Sequence, residues 1–481
     1  MLLSQQFRFV GSIDSNEIII HRSQATSTKA TFKLKVEPNA EGRGYVTALF
    51  FYKGYPCGRV RRSIAIGIPD ESNLGQQTNS TVKTPPANSA PSRFSAPSDG
   101  PDMTIVVVKT DDKRYQSFVL ARNAKQPRGE VSNWDNYADP TPDKILQSHY
   151  DRFGEEYSPR QAHAALVDLG KKLFGKAPLN VTRTLLELFR KSQPPRTVLV
   201  FSDEPYFPWE LMIPHWPDRD VGENLPLGVT ETVARWTLDA GETFRSPARS
   251  VAVGKAVFWA PRYTHNPLTS SADEQNFLAG SLQGIPINPA TYDAMCETLA
   301  SSDATVLHFI CHGWSDPQNP GMQTILAEPQ ESDGASTDQP LEGEAPSTTY
   351  YRASITPGEL AQCDGIKQFC KKRPLVFLNA CQIGETIQTM TSVGGFGPTF
   401  LQLNAGAVIA PLWSVFERAA EKCAESFYLS VQQNPQEPFA EAVRKIRETA
   451  FKVDPPEGLA TYAAYCFYGD PLAAPANAPS H

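Results

Sequence analysis

Two apolar strand patterns in this 481-residue chain run out on residues that can do covalent chemistry. ATVLHFI closes with Cys311-His312-Gly313, and RPLVFLNA closes with Cys381-Gln382-Ile383-Gly384. A thiol beside an imidazole is the minimum for nucleophilic catalysis: the imidazole takes the thiol proton, and the thiolate attacks. Once protonated, the same imidazole can give that proton to a leaving amine. Gly313 would let a carbonyl approach the backbone closely, and its N–H together with that of Cys381 could bind an oxyanion. Alone, the cysteine would be read as core filler and the histidine as a satisfied polar residue. Together, each followed within three residues by glycine and both at strand ends, they form a candidate site.

The neighbouring residues narrow the choice. His308 lies four residues before His312 in the same strand pattern, so alternation puts both on one face, about 13 Å apart at ~3.3 Å per residue. His308 therefore cannot serve the same nucleophile and reads as structural. Cys311 faces the opposite side and reads as core. Cys363 and Cys370 are seven apart on one helical face, which fits core packing better than metal binding. The eight cysteines contain no CxxC, which argues against a structural zinc. In a reducing compartment most should be buried free thiols. No P-loop, GxGxxG, HExxH or EF-hand loop is present, so no cofactor and no metal are expected.

The elements that position these residues are strands alternating with helices. After Pro267, ADEQNFLAGSL, ATYDAMCETLA and TPGELAQCDGIKQFC read as helices, and ATVLHFICHG, RPLVFLNAC and AGAVIAPLW as strands. Two more helices, ERAAEKCAESFYLSV and FAEAVRKIRETAF, precede a last strand, YAAYCFYGD. Near-continuous apolar strands of this kind imply a mostly parallel sheet covered on both faces, with ligands beyond the carboxyl ends of the strands. Residues 328–349 carry six acidic and no basic side chains and read as a loop between the histidine strand and the cysteine strand.

The first segment is β-rich, with FRFVG, EIIIHR, ATFKLKVEP, GYVTALFFY and RSIAIG separated by turn residues. Between 69 and 102, 22 of 34 residues are Pro, Ser, Thr, Asn, Gly or Gln, too few apolar groups to offset the entropy of ordering. The reading is a small sandwich-like all-β domain over 1–125 containing a disordered Pro/Ser-rich stretch at 69–102, whether as a loop or as a hinge. Met103–Val108 and Ser117–Ala121 either complete that domain or open the next one.

Composition excludes other classes. A net charge of −7 argues against a nucleic-acid footprint. No run approaches the ~18–20 apolar residues of a membrane span. The start, MLLSQQFRFVGSIDSN, lacks the charged and apolar regions of a signal peptide, so the expected location is the cytoplasm.

VLHFICHG, FLNACQIGE, the FGPTFLQLNAGAVIAPLWSV run and the terminal YCFYGDPL resemble the CHAT family of caspase-like proteases, relatives of separases and gingipains. The resemblance spans most of 140–475 and is strongest from about 300. It implies a caspase-like α/β/α sheet, with a degenerate half at 140–265 marked by SDEPYFPWELM and an active half at 266–475. It also implies a Cys–His dyad of Cys381 as nucleophile and His312 as general base and acid, with Gly313 at the oxyanion hole. Trp413 would wall a substrate subsite. Glu417 falls where separase-like sequences place an acidic residue near the P1 pocket, although it could equally open a helix and stabilise its N-terminus. Asp316 is a further polar candidate for the pocket. The implied activity is a cysteine endopeptidase cutting a specific protein substrate, such as a gasdermin-like effector, in a bacterial defence or cell-death system. It would be held inactive until an upstream activator or sensor, docked on the N-terminal β domain, triggers it. The alternatives are a non-catalytic caspase-like scaffold, a different hydrolase or a pure binding module.

Overall fold

Strands that are apolar on both sides must lie inside a sheet flanked by helices, and this chain builds such a sheet. The computed structural model describes residues 2–3, 7–9, 34–38, 40–66, 100–109, 115–124, 131–137, 158–204, 207–214, 225–237, 247–263, 267–315, 323–328, 354–382, 395–413, 415–452 and 458–476. In chain order the strands are β1 (Leu2–Leu3), β2 (Phe7–Phe9), β3 (Leu34–Val36), β4 (Gly42–Tyr52), β5 (Tyr55–Ile66), β6 (Met103–Lys109), β7 (Tyr115–Ala121), β8 (Ser132–Asn133), β9 (Thr197–Ser202) and β10 (Thr232–Thr237). They continue with β11 (Ser250–Val251), β12 (Ala256–Trp259), β13 (Ile285–Pro286), β14 (Val306–Ser315), β15 (Gln323–Leu326), β16 (Ser354–Ile355), β17 (Leu375–Gln382), β18 (Ala407–Pro411), β19 (Tyr465–Tyr468) and β20 (Ala474–Pro475). The helices used below are α1 (Pro159–Lys176), α2 (Ser271–Ser281), α3 (Tyr292–Ser301), α4 (Asp364–Cys370), α5 (Glu417–Gln433) and α6 (Phe439–Lys452).

Among the described residues thirteen strands form one sheet, ordered β13-β12-β14-β17-β18-β19-β10-β9-β6-β7-β8, with β15 and β16 appended to β14. β13, β12, β14, β17 and β18 run parallel to one another. β19 is antiparallel to β18 but parallel to β10, which continues parallel through β9 and β6. The C-terminal strand is thus the seam between two parallel halves of opposite direction. Helices form where apolar spacing and caps coincide. In α1, Ser158 and Gln161 make a reciprocal capping box, and Ala162, Leu166, Leu169, Leu173 and Phe174 bury one stripe.

A buried ion pair stands beside the seam. Arg235 of β10 grips Glu210 with two parallel bonds, Nε to Oε1 at 2.8 Å and Nη2 to Oε2 at 2.5 Å, and also donates to the Phe207 carbonyl at 3.0 Å. Arg447 of α6, likewise buried, donates to the carbonyls of Gly228 and Tyr465, tying α6 to both halves. Burial alone pushes the Glu210 carboxyl up, but Arg235 outweighs it and holds the group at about 2.

The N-terminal strands form a three-stranded sheet, β1-β4-β5, and a separate pair, β2-β3. β4 and β5 turn through Lys53-Gly54, both at positive φ, as a two-residue hairpin requires. The tip of this hairpin docks on the large sheet. Thr104 Oγ1 donates to the Gly54 carbonyl at 2.6 Å, Tyr55 OH donates to Asp470 at 2.8 Å, and Phe51 packs edge-on against Phe118 and Phe201.

The strands expected to belong either to this N-terminal segment or to the next domain belong to the large sheet. β6 pairs with β9 over Met103–Val107, and β7 pairs with β6, so the boundary drawn at 125 lies beyond the point where the large sheet begins. The reason is burial: β6 is covered on both faces from Met103 to Val108, which the edge of a small one-sided sheet cannot provide. Residues 69–99 of the expected disordered stretch lie outside the described residues, whereas 100–102 are bonded into the structure, Asp102 accepting from the Arg196 and Thr197 amides. Of the 328–349 loop only Glu328 is described, and it exchanges bonds with Ala290.

Cys363, expected to be a free core thiol, is instead disulfide-bonded to Cys296, with Cα atoms 5.7 Å apart. The cause is close contact between α3 and α4. A Cβ added at Gly365 would sit 1.8 Å from the Cys296 carbonyl, so only glycine lets the backbones approach this far. The described free cysteines are Cys57, half-buried, and Cys311, Cys370, Cys423 and Cys466, all buried. No helix among the described residues is long and apolar enough to cross a membrane.

The Glu210–Arg235 pair yields a pH-dependent prediction. The folded carboxyl titrates below its ordinary 4.5, so its stabilisation is complete above pH 4.5 and is lost as pH falls toward 2. Glu210→Gln should cost about 3–5 kcal/mol in urea unfolding at neutral pH, because it strands a buried guanidinium. The gap from the parent should shrink on acidification. Equal stability at neutral pH would refute the role given to the pair.

Candidate functional site

β14 and β17 are hydrogen-bonded in parallel from Val306↔Leu375 to Gly313↔Gln382, and in that register His312 stands opposite Cys381. Partners in a parallel ladder share a face, and neighbouring strands lie about 4.8 Å apart. The two residues singled out from sequence are therefore adjacent positions on one side of the sheet. They sit near the carboxyl ends of their strands, where ligands bind in open α/β sheets.

One detail differs from expectation. The histidine strand does not stop at Gly313 but continues to Ser315, because β15 pairs with 313–315 and extends it. His312 lies inside a strand and is 4% exposed. Its backbone N–H donates to Tyr263 OH at 3.1 Å, and the Tyr263 ring lies 4.7 Å from the imidazole, tilted by 45°.

That hydrogen bond also bears on the expected oxyanion site. The His312 amide turns away from β17, so strand alternation turns the Gly313 amide toward β17 and, by the same register, the Cys381 amide toward β14. Both expected donors lie within the β14–β17 ladder.

Beneath the pair, on the same face, lies a buried polar network. His308 is bonded through Nε2 to Glu274 Oε1 at 2.8 Å and through Nδ1 to Tyr428 OH at 3.0 Å, and stacks on Phe377 at 5.0 Å. Asn379, two residues before Cys381, donates to the same Glu274 oxygen at 2.8 Å and accepts from Tyr465 OH at 2.6 Å. Both His308 ring nitrogens are engaged, consistent with a structural role. Sequence reading missed Asn379, Glu274 and Tyr465, although an asparagine inside the apolar run FLNAC was a signal that a buried partner must exist. The site for Tyr465 opens because β17 pairs with β18 only from Leu375 to Phe377. β18 pairs along its other edge with β19 over Val408–Pro411, and past the end of the β17–β18 pairing Tyr465 of β19 reaches across to Asn379.

The pocket candidates fare differently. Trp413 is 2% exposed and packs in the core just past the end of β18, so it offers no open wall. Glu417 opens α5, as its helix-terminal alternative has it, and its carboxylate accepts from Thr269 Oγ1 at 3.0 Å and from the Ser270 amide at the start of α2. With those donors filling it, Glu417 joins two helices rather than standing open to a basic P1 group. Asp316 lies outside the described residues.

Four of the other thiols are poor nucleophiles. Burial pushes Cys57 up to about 11. Burial followed by the nearby Glu274 charge raises Cys311 and Cys423, and burial is the largest cause of the rise at Cys466. Among the described residues no group of three or more His, Cys, Asp or Glu could hold a metal ion.

Asn379→Ala would leave the Tyr465 hydroxyl and a Glu274 oxygen short of a buried partner. It should cost about 2 kcal/mol or more in urea unfolding. A loss within the scatter of surface substitutions would remove the network from the account of the site.

No curated protein matches the chain. Solved structures with similar architecture include the Arg-specific cysteine proteinase gingipain R (RgpB), at 13% identity and a TM-score of 0.35 over 70% of this chain and 76% of that one. The complex of Porphyromonas gingivalis RgpB pro- and mature domains matches at 12% identity and a TM-score of 0.35, over 71% of this chain and 78% of that one. The Saccharomyces cerevisiae separase–securin complex matches at 11% identity and a TM-score of 0.41, over 76% of this chain but only 30% of that one. The family model described as the CHAT domain matches residues 191–470, which is more than half of the sequence and contains β14, β17 and the seam strand. On that match the chain belongs to the CHAT domain family.

Proposed function

We propose that this chain is a cysteine endopeptidase acting through Cys381 and His312. The observation that carries the reading is the register of β14 and β17, with 312 opposite 381 on one face at the carboxyl edge of a parallel sheet. In the proposed reaction His312 takes the Cys381 thiol proton, and the sulfur bonds to the scissile carbonyl carbon while the carbonyl electron pair moves to oxygen. Collapse of that intermediate breaks the C–N bond, and the imidazolium gives its proton to the departing amine. Water, deprotonated by the imidazole, then attacks the thioester, releasing the carboxylic acid and returning the thiol.

The same geometry supports control of the enzyme by a trigger. With the Gly313 and Cys381 amides inside the ladder, a carbonyl oxygen has no donors there until the 313/382 end of the ladder parts. The dyad positions are assembled at rest, and the oxyanion site is what activation has to complete. The substrate is a specific protein, such as a gasdermin-like effector of a defence or cell-death system, and the hairpin-bearing N-terminal segment receives the activator. Because Phe51 and Tyr55 of that hairpin pack into the large sheet, removal of residues 1–67 would disturb the core as well as binding. Surface substitutions on the distal part of the hairpin are the better probe of docking.

A non-catalytic scaffold is the competing reading, favoured by the burial of His312. Co-expression of the full chain with the proteins encoded beside it, followed by mass spectrometry of fragments, separates the two. Cleavage should appear with the parent chain and disappear, by at least about 10³-fold, with Cys381→Ala or His312→Ala. Fragments made equally well by both variants would overturn the assignment.

A further inference from the structure

We propose that Tyr263 is a positioning residue for His312, holding both its backbone and its ring. The inference rests on the thiol-protease reading above and deepens it.

The argument begins with a change of strand partner. β12 accompanies β14 only as far as Trp259↔Phe309. Further along, the neighbour of β14 on that side is β15, which begins with Gly313↔Ile325 and runs antiparallel. One step back in that register His312 faces Leu326. The Tyr263 hydroxyl sits between these two residues. It accepts the His312 N–H at 3.1 Å and donates to the Leu326 carbonyl at 2.9 Å. A phenol can do both at once, having one proton to give and lone pairs to receive. Tyr263 lies in the segment that leaves the end of β12, four residues beyond Trp259, and its hydroxyl fills the gap in the ladder where one strand leaves and the next has not closed.

That gap falls at the residue whose placement the reaction needs most. The His312 amide faces away from β17, so its hydrogen bond to Tyr263, rather than one to the cysteine strand, holds it. The tyrosine ring adds a second restraint, packing 4.7 Å from the imidazole and tilted by 45°, which limits how the imidazole can turn. A general base must come within about 2.6–3.2 Å of the proton it takes. Misplacement by about 1 Å can cost ~10²-fold in rate. Phenylalanine could supply the ring but not the hydroxyl, and leucine neither, so the two restraints can be removed in turn.

The test reads the Cys381 thiol and needs no substrate. The full chain is treated with iodoacetamide across pH 5–9, and alkylation of the peptide containing Cys381 is followed by mass spectrometry, with thermal unfolding recorded for each variant. In the parent chain, pairing with His312 should make the thiol titrate below the ~8.5 of a free cysteine, and His312→Ala should restore that value. Tyr263→Phe should slow alkylation near pH 6.5 by about tenfold and move the titration toward that of His312→Ala, and Tyr263→Leu should go further. Lower melting temperatures with the parent's titration unchanged in both tyrosine variants would make Tyr263 merely structural and overturn the proposal. An ordinary thiol in the parent that His312→Ala leaves unaltered would instead overturn the dyad reading, and the positioning role with it.

Discussion

One stretch of parallel pairing governs the rest of this molecule. Eight consecutive residue pairs lock β14 to β17, from Val306↔Leu375 to Gly313↔Gln382. Because the side-chain period of a strand is two, a slip of one residue would put His312 and Cys381 on opposite faces. The apolar residues along both strands fix the register, since a slip would also turn the His308 and Asn379 positions out of their polar network. Core packing and candidate chemistry are therefore specified by the same set of contacts.

Under the candidate site, Glu274 is shared by His308 and Asn379, while Tyr428 and Tyr465 complete the set from α5 and β19. Five elements thus meet in a buried hydrogen-bonded cluster, and each partner is costly to remove because the others would then lack a bond. This makes a rigid floor, of the kind a two-residue site needs if its members are to stay in reach. Above the floor the arrangement is less closed. β18 leaves β17 after Phe377, β12 leaves β14 after Phe309, and Tyr263 fills the second gap. Rigid pairing below and divided strands above are consistent with a site assembled at rest but completed by a local opening.

The seam strand β19 explains why one chain needs both halves. It bonds to β18 on one side and to β10 on the other, and its Tyr465 serves the polar floor through its hydroxyl and Arg447 through its carbonyl. The half without a Cys–His pair is therefore part of the mechanical support of the half that has one. The hairpin tip, held by Tyr55 on Asp470 just after β19, extends that support to the N-terminal strands.

The sequence by itself determined the two parallel-sheet strands, their helical neighbours and the identity of the candidate pair, because apolar runs and their polar terminations are local signals. Asn379 was present in the motif but silent, since its partners Glu274 and Tyr465 are 105 and 86 residues away and only folding brings them together. Tyr263, the Cys296–Cys363 link and the membership of β6 and β7 in the large sheet were hidden for the same reason: each depends on which segments become neighbours, which local periodicity does not encode. Neither the place of Glu417 between α5 and α2 nor the place of the Gly313 and Cys381 positions in a ladder was legible in the sequence. Residue type decides which groups could react, but hydrogen-bond direction is a property of pairing, and pairing is decided only when distant strands meet.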